Sequence, residues 1–221
     1  MMNYVFEQKI LNLNGEKVME IPFNVWEVQE NIGDYPIEAV VNETTFQCNL
    51  LPKKDGYYYI PLKNVKADFE EETFYPVSFT ILTEPQKISE NSPYSIENPI
   101  RKIDGIKIIT QPWDGLCGQT CIAMLADITL EEANNIMHCR EWQANMGKMI
   151  LTLDYLGIPH SNRIIYTQGK EVTLPKCAII MEKMGRFSHY LVCYDGVYYD
   201  PTDGILEGFD LANMKGYLEI L

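Results

Sequence analysis

Apolar and polar residues alternate in short runs over the first 85 residues, a pattern typical of β-strands with one buried face. Turn-forming residues separate the runs, for example Asn14-Gly15 and Lys53-Lys54-Asp55-Gly56. Short strands at regular spacing predict a small β-barrel or a sandwich, and the barrel is the preferred interpretation. The predicted strands cover residues 4–12, 18–22, 37–41, 44–51, 56–61 and 77–82.

The second half of the chain begins with helical periodicity and ends in strands. Apolar residues within 117–126 fall on one helix face, and Thr129 and Glu132 have the spacing of a capping box. A further helix is predicted over residues 145–156. Helices followed by antiparallel strands predict an α+β domain. The predicted strands cover residues 163–166, 177–181, 189–193, 197–200 and 217–221.

The sequence changes character between these two halves. Residues 84–105 are rich in proline, serine and asparagine and have little periodicity, which indicates a linker. The charge also divides there, at −9 over residues 1–100 and −4 over residues 101–221. We therefore predict a β-barrel domain over residues 1–85, a linker over 86–106 and a second domain over 107–221.

Composition narrows the classes of function. The chain has 221 residues, of which 46% are hydrophobic and 22% charged, an ordinary globular balance. A net charge of −13 argues against binding to nucleic acid. The sequence contains neither an apolar run of roughly 18–20 residues nor a signal peptide, so we expect no membrane association and a cytoplasmic location. In that compartment the six cysteines are expected to be reduced. The sequence carries no signal for an oligomeric state.

Cys117 is the first candidate for chemistry. A glycine-containing turn, Trp113-Asp-Gly-Leu, leads directly into the helix that this cysteine begins. A thiol at a helix N-terminus meets unpaired N–H groups and the positive end of the dipole, which favour the thiolate. Gly115 and Gly118 would let a substrate backbone approach closely. Trp113 either forms a wall of the cleft or packs the loop.

A histidine and an aspartate are placed together by strand register. Asp195-Gly196 predicts a two-residue hairpin loop, which sets Leu191 opposite Asp200. His189 shares a face with Leu191 because side chains alternate along a strand. Asp200 is then the diagonal neighbour of His189, about 7–8 Å away by backbone. A carboxylate in that position can accept the imidazole N–H and orient the ring. The predicted pairs are Tyr194 with Val197, Cys193 with Tyr198 and Val192 with Tyr199.

Gln111 precedes Cys117 by six residues. A side-chain amide that arrives just ahead of the nucleophile can donate to an oxyanion, together with the Cys117 N–H. The sequence therefore predicts a site that contains Gln111, Cys117, His189 and Asp200.

The same residues resemble the papain-like cysteine peptidases, and among them the bacterial peptidases that remove double-glycine leaders from bacteriocin precursors. The resemblance covers about residues 107–221. It implies Cys117 as nucleophile, His189 as general base and acid, Asp200 as the orienting residue and Gln111 in the oxyanion hole. It also implies a domain of helices followed by an antiparallel sheet. The segments that carry it are Gln111, Cys117-Gly118, Ser188-His189-Tyr190-Leu191-Val192 and Tyr199-Asp200-Pro201.

The first half resembles a family of uncharacterised bacterial double-split β-barrel domains. The resemblance covers about residues 3–83 and implies no residue roles. It rests on Ile21-Pro22, Val40-Val41-Asn42-Glu43-Thr44-Thr45-Phe46, Leu50-Leu51-Pro52 and Gly56-Tyr-Tyr-Tyr-Ile-Pro61.

The candidate residues also have purely structural interpretations. Cys117 could be a small buried hydrophobe at a helix start, and His189 an ordinary strand histidine. The apolar surroundings of the other cysteines favour the core for Cys121, Cys177 and Cys193. A zinc site built from Cys117, Cys121, His138 and Cys139 has ligands of suitable softness, although adjacent residues of a helix point in different directions.

The predicted function is hydrolysis of an amide or peptide bond in a peptide or protein substrate, through a thioester on Cys117, without a metal or cofactor. With an amine as acceptor, the same site would make the protein an acyltransferase, a transglutaminase-like enzyme or a glutamine deamidase. A third interpretation is a non-catalytic module that binds a peptide or protein on a degenerate peptidase fold.

Overall fold

A computed structural model describes residues 1–29, 33–83, 87–185 and 187–221. The chain divides into two compact units, of which the first comprises Met1–Pro85 and Asn162–Tyr166. The second comprises Gln86–Ser161 and Thr167–Leu221. Residues 162–166, predicted within the second domain, thus belong to the first unit, and the residues predicted as a linker are grouped with the second.

The first unit is built from strands. Its elements are β1 (Asn3–Leu13), β2 (Glu16–Glu20), a 3-10 turn (Val25–Glu27), β3 (Pro36–Val41), β4 (Thr44–Asn49), β5 (Leu51–Lys54), β6 (Tyr57–Pro61), β7 (Phe74–Ile81) and, over 162–166, β8 (His160–Tyr166). β1 pairs antiparallel with β2 and β7, and the pairing continues from β2 to β6 and β5 and from β7 to β3 and β4. β8 pairs parallel with β1, with Val5 opposite Ile165.

Aromatic side chains fill the core of the first unit. Phe23 is fully buried and stacks on Tyr166 with ring centroids 3.8 Å apart. Phe79 lies parallel to Phe23 at 6.2 Å, while Tyr4 and Phe6 approach Phe23 at 5.7 and 6.2 Å. Because Tyr4 and Phe6 are two residues apart on β1, alternation directs both to the same face. The predicted period-two pattern thus explains the inward face of this unit.

The second unit contains the helices and the remaining strands. Its strands are antiparallel, in the order β12-β11-β10-β9-β13. The elements are α1 (Cys117–Ala126), α2 (Leu130–Met137), α3 (Met146–Tyr155), β9 (Cys177–Met184), β10 (Phe187–Tyr194), β11 (Val197–Asp200), β12 (Gly204–Leu206), a 3-10 turn (Leu211–Asn213) and β13 (Met214–Ile220). Among the described residues no helix is long and apolar enough to cross a membrane.

The helix boundaries follow local sequence signals. The capping box of Thr129 and Glu132 is confirmed, with the Thr129 side chain and the Glu132 carboxylate each satisfying a backbone N–H of the other. Asn145 caps α3 by accepting from the Lys148 N–H at 2.8 Å. α1 is buried from Gly118 onwards, so packing rather than amphipathic patterning stabilises it. The helices predicted over 117–126 and 145–156 are therefore confirmed to within a residue.

The predicted fold class, an α+β arrangement of a small N-terminal β-barrel and a papain-like domain of helices followed by an antiparallel sheet, is wrong. The described residues contain thirteen strands and only three short α-helices, of 10, 8 and 10 residues. The pairing is mixed, because β8 runs parallel to β1 while the other pairs described above are antiparallel. The fold is β-rich because strand-forming tracts dominate both halves of the chain.

Candidate active site

Cys117 is the first residue of α1 and is partly exposed. The N-cap residue Leu116 is buried and provides no capping side chain, so the first N–H groups of the helix have no acceptor within it. The Leu116 N–H itself donates to the Gln111 side-chain oxygen at 3.0 Å. The sulfur therefore lies at the positive end of a buried helix, next to backbone N–H groups that no capping side chain accepts.

His189 and Asp200 meet on neighbouring strands, as the hairpin register predicts. The pairs of residues 192 with 199, 193 with 198 and 194 with 197 are all confirmed. His189 Nε2 lies 2.9 Å from Asp200 Oδ2. The other carboxylate oxygen, Oδ1, accepts the backbone N–H groups of Thr202 at 2.6 Å and Asp203 at 3.2 Å. Asp200 is buried, so these bonds fix both oxygens.

The thiol of Cys117 lies within hydrogen-bonding range of the His189 ring. Because Nε2 is engaged by Asp200, Nδ1 is the nitrogen available to the sulfur. Burial lowers the pKa of His189, but hydrogen bonds to Asp200 and Cys117, together with their charges, raise it to about 10. Burial likewise opposes ionisation of Asp200, but the bonds from His189, Thr202 and Asp203 hold its pKa below the ordinary value. A pKa raised in this way favours the imidazolium form of His189 at neutral pH.

Gln111 forms hydrogen bonds both to the segment that follows Asp200 and to the residue that precedes Cys117. Its backbone N–H donates to the Pro201 carbonyl at 2.7 Å, and its Nε2 donates to Thr202 Oγ1 at 2.8 Å. Its side-chain oxygen accepts the Leu116 N–H, which fixes the direction of the amide nitrogen. Since an amide nitrogen carries two hydrogens, one donor remains beyond the bond to Thr202. The position predicted for Gln111, just ahead of the nucleophile, therefore leaves it able to donate.

The two glycines, Gly115 and Gly118, lie against neighbouring side chains. A Cβ on Gly115 would lie 2.8 Å from the Trp142 ring, and a Cβ on Gly118 would lie 2.7 Å from that of Ala144. Gly115 also has a φ of +94°, which glycine adopts without strain. Packing within the protein therefore favours glycine at both positions, and the close approach of a substrate backbone stays a prediction. Trp113 is exposed, with its indole N–H donating to Glu141 at 3.1 Å.

Sequence reasoning missed several residues around the site. Glu182 lies directly opposite His189 on β9, and burial raises the pKa of its carboxyl against the opposing effect of the His189 charge. The predicted strand stopped at residue 181, although register counting continued by one residue would have included Glu182. Thr202 joins Gln111 to Asp200, and no sequence signal indicated it. Trp142 reaches the site from the loop between α2 and α3, which carried no periodicity.

One group of side chains in the described part of the chain has the spacing of metal ligands. Glu182, His189 and Asp200 each offer an atom within 4.8 Å of the others. Two of these atoms already bond to each other, and the second oxygen of Asp200 accepts two N–H groups. The group includes none of the cysteines, nor His138, of the zinc alternative.

The family comparison bears on the first unit. Residues 6–67 match a family described as a domain of unknown function (DUF1905). The match covers less than a third of the chain and includes none of Gln111, Cys117, His189 and Asp200. No curated protein matches the chain. A β-rich fold together with this family overturns the classification of the protein as a papain-like thiol protease.

The raised pKa of His189 predicts a pH dependence with a definite sign. An unfolded histidine titrates at about 6.5, so the raised pKa of His189 contributes its full stability below that pH, and this contribution is lost as the pH rises towards about 10. Asp200→Asn is expected to return the His189 pKa part of the way to its ordinary value, since the contribution of Cys117 remains. NMR titration of the His189 ring measures it.

Glu182→Gln is the matched control for that titration. It also removes a carboxylate next to His189, but one that lies across the strand pair and not in the hydrogen bond to Nε2. We expect a smaller shift from this variant than from Asp200→Asn. A wild-type His189 that titrates at the ordinary histidine pKa would contradict the geometry.

Proposed function

We propose that the protein is a cysteine-dependent hydrolase that cleaves an amide or peptide bond through a thioester intermediate. The observation that supports this proposal is the contact of Cys117 with a His189 ring whose other nitrogen is bound by buried Asp200. A nucleophile, a base and a residue that orients the base form the arrangement required for nucleophilic catalysis. All three residues lie in the second unit.

In the first step the Cys117 sulfur attacks the carbonyl carbon of the substrate, forming a C–S bond. The negative charge moves to the carbonyl oxygen, where the Cys117 N–H and the free hydrogen of Gln111 Nε2 are suited to donate. His189 gives its Nδ1 proton to the leaving nitrogen as the C–N bond breaks. The amine departs and the acyl group remains on the sulfur.

In the second step water attacks the thioester carbonyl, and His189 takes one of its protons. The C–S bond breaks, the carboxylic acid leaves and the sulfur returns next to the imidazolium. Asp200 accepts the Nε2 hydrogen throughout, so that Nδ1 faces the sulfur in both steps. If an amine replaces water in this step, the same residues carry out acyl transfer.

The substrate of this proposal is a peptide or protein. We place the reaction in a reducing, cytoplasmic setting, which all six cysteines support because they are free thiols. Partitioning of the acyl group between water and an added amine separates hydrolysis from acyl transfer.

Alkylation by iodoacetamide near neutral pH is expected to label Cys117 well ahead of the other cysteines. Only Cys48 and Cys117 are partly exposed, and burial raises the pKa of Cys48 to about 11, which keeps it protonated. A thiol next to an imidazolium reacts faster. Peptide mapping by mass spectrometry over a time course measures the order of labelling.

Cys48→Ser serves as the matched control, because it removes the other accessible thiol and should leave the labelling rate of Cys117 unchanged. Cys117→Ser should remove the fast phase. Equal labelling of Cys48 and Cys117 would contradict the proposal and favour a non-catalytic binding module.

A further inference from the structure

Three large aromatic side chains are exposed close to Cys117 and His189. Trp113, Trp142 and Phe187 are 58%, 59% and 49% exposed. Burying an aromatic side chain is normally favourable, so a group of exposed rings next to a reactive site indicates a surface that binds something apolar. We call these three residues the aromatic patch.

The patch is joined directly to the nucleophile and the histidine. Trp142 donates its backbone N–H to the Gly115 carbonyl at 2.8 Å, and its ring covers Gly115, two residues before Cys117. The Trp142 ring also lies 6.3 Å from that of Phe187. Phe187 is two residues before His189 on β10, so both side chains are on the same face of the strand. The patch therefore borders both reacting side chains.

Hydrogen bonds from buried and neighbouring side chains hold the segment that carries Trp142. The fully buried Gln119 on α1 donates its side-chain N–H to the Arg140 carbonyl at 2.9 Å. The Arg140 N–H in turn donates to Gln143 Oε1 at 3.0 Å. The neighbouring Glu141 accepts from the Trp113 indole, which links the two tryptophans. These bonds restrain the Trp142 segment and the Trp113 indole, which lowers the entropic cost of binding a ligand on them.

The backbone of Trp142 is in the left-handed region, with a φ of +63°. This conformation is unfavourable for a bulky side chain and persists only where surrounding contacts enforce it. The strain presents the indole ring over Gly115 and leaves more than half of the side chain exposed. Such strain, together with exposure next to reactive groups, is typical of binding sites.

We propose that the aromatic patch binds a bulky apolar side chain, aromatic by preference, of the substrate that Cys117 attacks. This inference rests on the proposed function, because it assigns the patch to the substrate of that site. The ring faces favour stacking with another aromatic group. One oxygen of the Glu141 carboxylate accepts from the Trp113 indole, so a preference for cations is the competing outcome that the test includes.

Three alkylating probes that share one reactive group test this inference on the full-length protein. They are N-benzyl-iodoacetamide, N-(2-hydroxyethyl)iodoacetamide and N-(2-ammonioethyl)iodoacetamide, each compared with iodoacetamide for its second-order rate at Cys117. We expect the benzyl probe to react about tenfold faster than the hydroxyethyl probe, corresponding to about 1.4 kcal/mol of apolar contact. Its rate should saturate with concentration because the probe binds before it reacts.

Trp113→Ala and Phe187→Ala should each reduce the benzyl-to-hydroxyethyl ratio several-fold. Phe74→Ala removes an equally exposed aromatic ring from the first unit and should leave the ratio unchanged. A ratio near one in the wild type, or one that all three variants share with it, overturns the inference. Preference for the ammonium probe overturns it in favour of a cation site.

The outcome also separates this inference from the proposed function. If iodoacetamide does not label Cys117 faster than the other cysteines, the proposed function is wrong, and the assignment of the patch to its substrate is wrong with it. If iodoacetamide selects Cys117 but the benzyl probe gains nothing, the proposed function stands and only the patch assignment is wrong.

Discussion

His189→Ala is expected to slow acylation of Cys117 by p-nitrophenyl acetate by about 10²–10⁴-fold, the usual contribution of a positioned acid–base group. In the wild type the imidazolium is held next to the sulfur by Asp200, and its pKa is raised to about 10. Removing the ring takes away both the charge next to the nucleophile and the group that shuttles the proton. The burst of p-nitrophenolate at short times measures acylation, and intact mass confirms a single acetyl group.

His160→Ala provides a matched control for this variant. His160 is also largely buried and also bonds to a carboxylate, with Nε2 3.1 Å from Asp154 Oδ1. The Asp154 and Ser161 bonds raise its pKa despite burial, so the two histidines share their chemistry but not their position. We expect the burst to be unchanged in His160→Ala and absent in Cys117→Ala. A burst of equal rate in His189→Ala would show that the histidine does not activate the sulfur.

The contact between His189 and Asp200 could be predicted because it depends on short-range geometry. Asp195-Gly196 sets a two-residue loop with both residues at positive φ, and once the loop length is known every cross-strand pair follows. The start of α1 at Cys117 was predictable for a similar reason, since turn residues and helical periodicity meet at one position. Signals within a few residues thus located the candidate nucleophile and its histidine.

The pairing of β8 could not be predicted, because it depends on partners far apart in the chain. Residues 163–166 have an ordinary strand pattern, which indicates a strand but not its neighbour. The structure pairs them with residues 3–5 in parallel, across more than 150 positions of sequence. The predicted fold class was wrong for the same reason. The alternation of apolar and polar residues indicates a strand but does not show whether its neighbour runs parallel or antiparallel.

Trp113 was a candidate from the sequence, but the other two residues of the aromatic patch were not predicted, for a different reason. Trp142 and Phe187 come from segments distant in sequence and meet only in the folded second unit. The sequence does not distinguish an exposed aromatic residue from a buried one, and large aromatic residues are first assigned to the core. The packing of Gly115 and Gly118 could not be predicted for the same reason, because the side chains next to them, Trp142 and Ala144, lie in a separate loop.

Phe23→Ala is expected to cost about 3–5 kcal/mol of unfolding free energy, the range for deleting a buried phenylalanine side chain. The ring is fully buried and contacts four other aromatic rings, the nearest being that of Tyr166 at 3.8 Å. Removing it leaves a cavity between strands that cannot close without moving their backbones. Urea unfolding of the full chain measures the loss, and hydrogen exchange locates it in β1 and β7.

Tyr166→Ala tests whether residues 162–166 belong to that core, because its ring stacks directly on Phe23. We expect faster hydrogen exchange in β1 and β7 in this variant as well, although the substitution lies in the second half of the sequence. Phe74→Ala is the control, since Phe74 lies on β7 but is 58% exposed and its loss should stay within about 0.5 kcal/mol. If Tyr166→Ala changed hydrogen exchange only in β9 to β13, the assignment of residues 162–166 to the first unit would be wrong. The unfolding free energy lost in Phe23→Ala would then come from its contacts with Tyr4, Phe6 and Phe79 alone.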